Sequence, residues 1–357
     1  MLTSSQLEEI RDQLEASQNP LFFYDNDVDG LCSFLILRRA LDRGKGVIIK
    51  SFPDLKEQYT KKVDELNPDA IIILDKADIS EEFANHAEQK GIPILWIDHH
   101  KTNTPKQTVD KTSYYTSHPS AEPVSYIAQK IFNRPQDIWL AIIGCIGDVY
   151  MPDFAQQFSQ ENPDLLPQNV DAFTALQTTT IGKIARKLNF GLMDTTTNIL
   201  QLIRYLTKAT TPHDILEENS RTKQFHKRSN QLEEFFQKQI KKAETHFDKN
   251  SPILFFTYSG NTSMSSEISN RLAFDHKDKI VIVAFLRPEK ANISIRGKNA
   301  LKITKAATEN ILGATGGGHE EATGAMVPIS DFETFKDNIK HLTNIQNYSK
   351  PNEISLQ

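Results

Sequence analysis

The chain has 357 residues, 38% of them apolar and 24% charged, with a net charge of −5 at neutral pH. That length suits two domains better than one, and the composition is that of a globular protein rather than a disordered or membrane-spanning one. An acidic balance also excludes the overall basic field of many DNA-binding proteins, so any nucleic-acid contact has to come from a local basic surface.

The opening stretch MLTSSQLEEIRDQLEAS lacks the basic start and apolar block of a secretory signal and reads as an amphipathic helix. Apolar runs at Leu21–Tyr24, Val47–Ile49, Ala70–Leu74 and Ile92–Ile97 predict strands. Between them, Leu31–Leu41, Tyr59–Leu66 and Glu81–Lys90 carry apolar residues at helical spacing. Such alternation predicts a parallel sheet covered on both faces, with ligands bound beyond the carboxyl ends of its strands. Cys32 and Cys145 sit in apolar helical patterns and read as small buried hydrophobes, which points to a reducing, cytoplasmic setting. No run approaches the roughly 18 apolar residues of a membrane span.

From about Ser120 to Leu206 the pattern is mostly helical, and Thr211–Asp248 reads as one long polar helix opened by Thr-Pro-His-Asp. Within it, Arg221–Lys242 carries seven Lys/Arg against two Glu. This is either a solvated connector or a basic wall for nucleic acid, with Lys227 and Arg228 as candidate contacts. A second α/β unit follows. Strands are predicted at Pro252–Thr257, Lys279–Phe285 and Ala291–Arg296, and helices at Ser263–Phe274, Leu301–Asn310 and Asp331–Leu342. The glycine-rich Gly313–Gly324 precedes the last helix, and Asn347–Gln357 is a polar tail.

Four places put charged residues directly after apolar runs. Asp25, Asp27 and Asp29 are three acids in five residues after the first strand, and acids so close repel unless a cation neutralises them. Asp-x-Asp-x-Asp-Gly also opens a calcium loop, but position 12 of that loop would be Ile36 instead of the required Glu. Asp75 closes Ile71–Leu74 and could either cap the next helix or bind a metal. Asp98-His99-His100 follows a buried strand, where adjacent histidines are rarely a packing device. Asp148 ends an apolar, glycine-containing helical run. Together these oxygen and imidazole donors describe a two-metal site.

In order and spacing, Asp25/Asp27/Asp29, Asp75, Asp98-His99-His100 and Asp148 resemble the four motifs of the DHH phosphoesterases. Asn292-Ile293-Ser294-Ile295-Arg296-Gly297, then Gly316-Gly317-Gly318-His319 with Ala322, Gly324 and Ala325, resembles the companion DHHA1 domain. Asp25, where oligoribonuclease-like members carry His, together with Gly147–Asp153 and Asn162–Leu165, makes the chain most similar to archaeal RecJ-like single-strand exonucleases. Bacterial RecJ also carries an oligonucleotide-binding barrel, for which the stretch after Ile345 leaves no room.

The resemblance implies an N-terminal parallel-sheet DHH domain over residues 1–190, a helical connector over 191–250, a smaller α/β DHHA1 domain over 251–345 and a tail over 346–357. The active site is expected in the cleft between the domains. It implies two Mn²⁺ ions, with Mg²⁺ as substitute. Asp25 and Asp27 would hold one ion, Asp29, His99 and Asp148 the other, and Asp75 would bridge them. Asp98 would orient a histidine, and His100 would contact the scissile phosphate. Ser294, Arg296, Gly316, Gly317, Gly318 and His319 would grip substrate, Arg296 through a bidentate fork. The implied partners are single-stranded nucleic acid and a helicase or other replication or repair protein, with no membrane. Two rivals stand beside this reading: an oligoribonuclease or dinucleotide phosphodiesterase on the same scaffold, and an inactive scaffold in a replication or repair complex.

Overall fold

The computed structural model describes residues 1–51, 54–246 and 251–348. The chain divides into two compact units, Met1–Asn230 and Gln231–Gln357, and the division falls inside the helix Lys223–His246.

In the first unit, the strands Pro20–Asp25, Lys45–Ile49, Ala70–Leu74, Ile94–Asp98 and Ser113–Thr116 form one sheet in which every pairing is parallel. Its spatial order runs Lys45–Ile49, Pro20–Asp25, Ala70–Leu74, Ile94–Asp98, Ser113–Thr116. The chain therefore builds outward to one side of Pro20–Asp25 and then crosses to the other. That reversal lies between Pro20–Asp25 and Ala70–Leu74, and open α/β sheets bind ligands at such a switch point.

Strand alternation explains the two cores. Phe22, Tyr24, Ile72, Leu74, Leu95 and Ile97 join the larger apolar cluster, with the helices Val28–Leu41, Val124–Phe132, Ile138–Gly147 and Thr180–Leu192. Leu21, Phe23, Ile71, Ile73, Ile94 and Trp96 pack on the other face against Val63, Phe83, Ala84 and Ala87. Ser113–Thr116 was not legible as a strand because Ser-Tyr-Tyr-Thr is a half-buried edge without an apolar run.

The single helix expected over Thr211–Asp248 is instead a short helix, His213–Leu216, followed by Lys223–His246. Asn219 makes the break: its Oδ1 accepts from the backbone N–H of Arg221 at 2.9 Å and of Thr222 at 3.2 Å. Such a side-chain turn competes with helix continuation. Asp248 lies outside the described residues, as does the tail from 349 onward. No helix among the described residues is long and apolar enough to cross a membrane.

The second unit holds a mixed sheet ordered Thr315–His319, Ala322–Pro328, Lys290–Arg296, Ile280–Leu286, Ile253–Tyr258. Only its last pair is parallel. Ile293 and Ile295 pack with Ala300, Ile303 and Ala307 of the helix Ala300–Thr308 and with Phe335 and Ile339 of the closing helix. Much of the glycine-rich segment is thus an edge hairpin.

Close packing at the first strand explains one motif glycine. A Cβ on Gly30 would lie 2.7 Å from the Asp25 carbonyl oxygen and 2.9 Å from its nitrogen, both of them backbone atoms that cannot step aside. Gly30→Ala will therefore cost about 1–3 kcal/mol, as overpacking does. Gly317→Ala, whose added carbon meets nothing within 4 Å, will change stability by less than about 0.5 kcal/mol. Urea unfolding followed by circular dichroism reads both, and equal losses would refute the close-contact account.

Candidate metal centre

Each acid of the first motif is placed differently. Asp25 ends the strand Pro20–Asp25. Asp27 is the N-cap of Val28–Leu41, its Oδ1 accepting from the Gly30 N–H at 2.9 Å. Asp29, fully buried in the first turn of that helix, reaches the start of Val124–Phe132. Its Oδ2 accepts from Val124 N at 2.7 Å, and its Oδ1 from Ser125 N at 3.0 Å and from Ser125 Oγ. The partial positive charge of that helix end favours the carboxylate.

Asp75 leaves Ala70–Leu74 with φ of 56°, a left-handed conformation that costs a non-glycine residue energy and is typically retained at functional sites. Its backbone N–H is tied to Ile97 O at 3.0 Å, so it stands beside the end of Ile94–Asp98. Asp98, fully buried, accepts from the His100 backbone N–H at 3.1 Å and lies 2.9 Å from His100 Nδ1. Asp148 caps the C-terminus of Ile138–Gly147. That helix closes with Val149 N bonded to Ile146 O and Tyr150 N to Cys145 O, a Schellman ending whose left-handed position, usually glycine, is Val149 at φ 56°.

Donor atoms of Asp29, His99 and Asp148 converge within 4.8 Å of one another, and so do those of Asp75, His99 and His100. His99 belongs to both groups. Its Nε2 is 3.2 Å from Asp75 Oδ1 and 3.2 Å from Asp148 Oδ2. Neither approach has hydrogen-bond geometry: both ring nitrogens of His99 and both carboxylate oxygens of Asp75 are buried without a hydrogen-bond partner.

Crowding shows in the titration of these groups. Burial raises Asp27 well above the carboxylate range, and the charges of Asp75, Asp25, Asp148 and Asp29 add to the rise. Burial and the Asp29 charge do the same to Asp75, and Asp148 is pushed up to about 6 by burial and Asp29. Burial alone would lower His100, but its bond to Asp98 and the Asp75 charge outweigh that and raise it to about 9. For His99 burial is likewise outweighed, by Asp148 and Asp29, and the net direction is up.

The donor set fits a divalent cation. Buried polar atoms left without hydrogen bonds are rare, and here four of them belong to two adjacent side chains turned toward further acids. Ligand atoms that share one small cation stand roughly 3 Å apart, because each lies about 2.1 Å from it; the two 3.2 Å separations at His99 Nε2 match. Carboxylate and imidazole without thiolate suit Mn²⁺ or Mg²⁺. Asp25 and Asp27 belong to neither convergent group. Lys76, which carried no signal in the sequence, bonds Asp25 at 2.8 Å.

In the second unit, register brings part of the expected substrate set together. Ser294 pairs with Gly324, which pairs with Gly317, and Arg296 pairs with Ala322, which pairs with His319. Two residues apart along each strand, these rows share one sheet face. Gly316 and Gly318 point to the opposite face, where a Cβ on Gly316 would meet Thr304 at 2.7 Å. The fork of Arg296 is engaged within the unit. Nε donates to Asn270 Oδ1 at 2.6 Å, Nη1 to the Ile295 and Thr323 carbonyls, and Nη2 to Ser266 Oγ at 2.9 Å. Burial lowers its pKa to about 10, which leaves it charged at neutral pH. An open bidentate fork is therefore not what the folded unit presents, because the strand end and the neighbouring helix already use it. On Lys223–His246, Lys227 is exposed, whereas Arg228 is half-buried and donates to the Met193 carbonyl at 3.0 Å.

Comparison with known proteins agrees with this architecture. Residues 21–145 match the DHH family, N-terminal domain, and residues 250–344 match the DHHA1 domain, together more than half the chain. The chain belongs to the DHH/DHHA1 family of phosphoesterases. RecJ from Thermus thermophilus, solved in complex with Mn²⁺, superposes with a TM-score of 0.67 at 15% identity over 96% of this chain. This chain spans 55% of that one, about half its length. An exonuclease RecJ bound to manganese matches over 99% of this chain and 98% of its own, with a TM-score of 0.63 and 16% identity. CDC45 from Entamoeba histolytica follows at 0.52 and 11%, over 94% and 98%. These identities show the shared fold. No curated protein matches the sequence.

The raised groups set a pH dependence for protein stripped of metal. Asp148, raised to about 6, binds its proton better folded than unfolded, so the stability tied to it is lost as pH rises from its unfolded value through about 6. His100, raised to about 9, contributes stability that is complete below its unfolded value and lost as pH rises through about 9. The melting temperature of chelator-treated protein will accordingly fall between pH 5 and pH 9. Mn²⁺ will restore more of it at pH 8 than at pH 5, because metal replaces protons at the same atoms. A melting temperature that climbs through this window without metal would contradict the site's electrostatics.

Proposed function

We propose that this chain is a divalent-metal-dependent phosphodiesterase that degrades single-stranded DNA or RNA as a RecJ-like exonuclease. The observation that carries the reading is the pair of buried, unbonded side chains, Asp75 and His99, set among Asp29, Asp148 and His100 at the carboxyl edge of a parallel sheet. Asp29, His99 and Asp148 would hold one ion, Asp25 and Asp27 the other, and Asp75 would serve both. Mn²⁺ is the preferred metal, in keeping with the donor chemistry and with the manganese in two RecJ structures. When bound, such ions make water a nucleophile at neutral pH and neutralise charge on the phosphate.

The chain's own groups do the rest. Asp98 fixes His100 through Nδ1, which leaves Nε2 as the nitrogen available to a phosphate oxygen. In its protonated form that imidazole can donate to the phosphate or to the leaving oxygen. Ser294, Gly317 and His319, aligned on one sheet face, supply the proposed substrate contacts of the DHHA1 domain. Every expected metal-ligand position carries an Asp or a His, which favours an active enzyme over an inactive scaffold. A helicase or another replication or repair protein is the proposed protein partner.

A groove in the first unit favours a polymer over a dinucleotide. Eight Lys/Arg line it against Glu65 and Asp214, an inverted balance in a chain of net charge −5. Lys45, Lys50, Lys61, Arg204, Lys208 and Arg221 are exposed there, and Tyr59 and Tyr205 offer faces on which bases can stack. At Lys50 the groove reaches the carboxyl end of the sheet, one residue past Ile49, the register partner of Asp25.

End-labelled single-stranded DNA and RNA with purified protein test the reading. Cleavage should require added Mn²⁺, run slower with Mg²⁺ and stop in excess EDTA. Asp75→Ala and His99→Ala should each keep less than roughly a tenth of the rate, a barrier increase above about 1.4 kcal/mol. Full activity in EDTA, or either variant near wild type, would sink the proposed centre.

The groove has its own test. Lys61→Gln with Lys208→Gln should weaken binding of long single strands and flatten the logarithmic salt dependence by up to about 1.4, since each phosphate contact on a single strand contributes about 0.7. Cleavage of a dinucleotide should barely change. Equal effects on both substrates, or no cleavage of long strands at all, would favour the oligoribonuclease reading.

A further inference from the structure

Lys76 directly follows Asp75, and it is 1% exposed. Its Nζ donates to Asp25 Oδ1 at 2.8 Å and to the Ser51 carbonyl at 2.8 Å. Its own carbonyl accepts from the Nε1–H of the fully buried Trp96 at 2.8 Å, which fixes the backbone from which the side chain departs. A lysine this deeply buried is stable only when its charge is paired and its protons are bonded. Here the pairing uses an acid that family resemblance gives to a metal. Asp25 accordingly stands outside both groups whose donor atoms converge.

We propose that the Lys76 ammonium is a resident monocation that competes with a divalent ion for Asp25. The centre then binds one ion tightly through Asp29, Asp75, His99 and Asp148, and its second only weakly, when Lys76 gives Asp25 up. This rests on the metal-dependent reading above. The physical case has three parts. An ion that shared the Asp25 carboxylate would stand close to a second positive charge, and repulsion in a poorly solvated site lowers its affinity. Lys76 has a second anchor at Ser51 O, so it does not drift away unprompted. The tight position meets no such competitor: Asp75 and His99 hold their donor atoms without hydrogen bonds, and no ammonium is bonded to them. Such a centre is half loaded at rest and gains its second cation when another negative charge, such as a substrate phosphate, joins the site.

Mn²⁺ binding to the full chain, stripped of metal and free of substrate, tests the proposal by native mass spectrometry and by electron paramagnetic resonance of unbound Mn²⁺. Wild type should bind one ion tightly. Lys76→Met, which keeps length and bulk but not charge, should bind a second ion at least tenfold more tightly than wild type does. Asp25→Asn should still bind one, because Asp25 is not a ligand of the tight ion. Two tight ions in wild type would overturn the proposal, as would a folded Lys76→Met protein with wild-type stoichiometry. If Lys76→Met does not fold by circular dichroism, Asp25→Asn decides: retention of one ion upholds the proposal, and loss of an ion overturns it. No Mn²⁺ bound by any of the three proteins would overturn the metal-dependent reading itself, an outcome distinct from the others.

Discussion

Six carboxylates held at one edge of a sheet are the constraint around which the first unit is organised. Asp25, Asp27, Asp29, Asp75, Asp98 and Asp148 come from three strand ends, the start of one helix and the end of another. Like charges at this spacing oppose folding unless something neutralises them. The protein does so unevenly. Asp25 has an ammonium, Asp29 has a helix N-terminus, and Asp98 has an imidazole. Asp75 has no hydrogen bond to either oxygen, and its pKa rises with those of Asp27 and Asp148. The deficit is thus concentrated where His99 also stands unbonded, and a divalent ion placed there relieves it most.

Packing keeps that arrangement from relaxing. Gly30 lets the Val28–Leu41 helix start against the Asp25 backbone, and Gly147 lets the end of Ile138–Gly147 press on Val28, where a Cβ would meet Cγ1 at 2.0 Å. Those contacts bring Asp148 to Asp29. Asp75 and Val149 are both left-handed without being glycine, at about 1–3 kcal/mol each. Val149 is the harder case, being β-branched, and a C-terminal acid such as Asp148 also faces an unfavourable helix dipole. Fully buried strands and helices on both sides supply the stability that offsets this local strain.

The central strands were legible because four-to-five-residue apolar runs buried on both faces leave a plain trace, and acids directly after such runs mark the sheet's carboxyl edge. Convergence of Asp29, Asp75, His99, His100 and Asp148 followed from that edge. What stayed hidden had no local trace. Ser113–Thr116 is an edge strand with a polar sequence, and Lys76 looked like any lysine after an acid, since its burial depends on Asp25, fifty-one positions earlier in the chain. Asn219 breaks a helix whose periodicity continues on either side. Arg296 was recognisable as an important arginine, yet its bonds to Asn270 and Ser266 depend on how a helix packs on its sheet. Basic residues of the groove come from four separated segments, so composition along the chain does not gather them, whereas the basic run on Lys223–His246 is contiguous and plain in the sequence.

Charge then has to be read by place rather than in total. For the nucleic-acid substrate proposed above, an acidic edge without cations would repel the polyanion at the point of cleavage, and the basic groove that includes Lys50 would attract it alongside. The two fields oppose each other until divalent ions reverse the sign of the edge. On the proposed function, groove and centre would act in sequence: the groove raises the local concentration of strand whatever the metal state, and the centre accepts a phosphate once its tight ion is bound. Lys76 sharpens that order. By holding Asp25 until a further negative charge arrives, it ties the last increment of positive charge in the centre to the presence of the phosphate itself. A centre without substrate thereby avoids the mutual repulsion of two dications at close range.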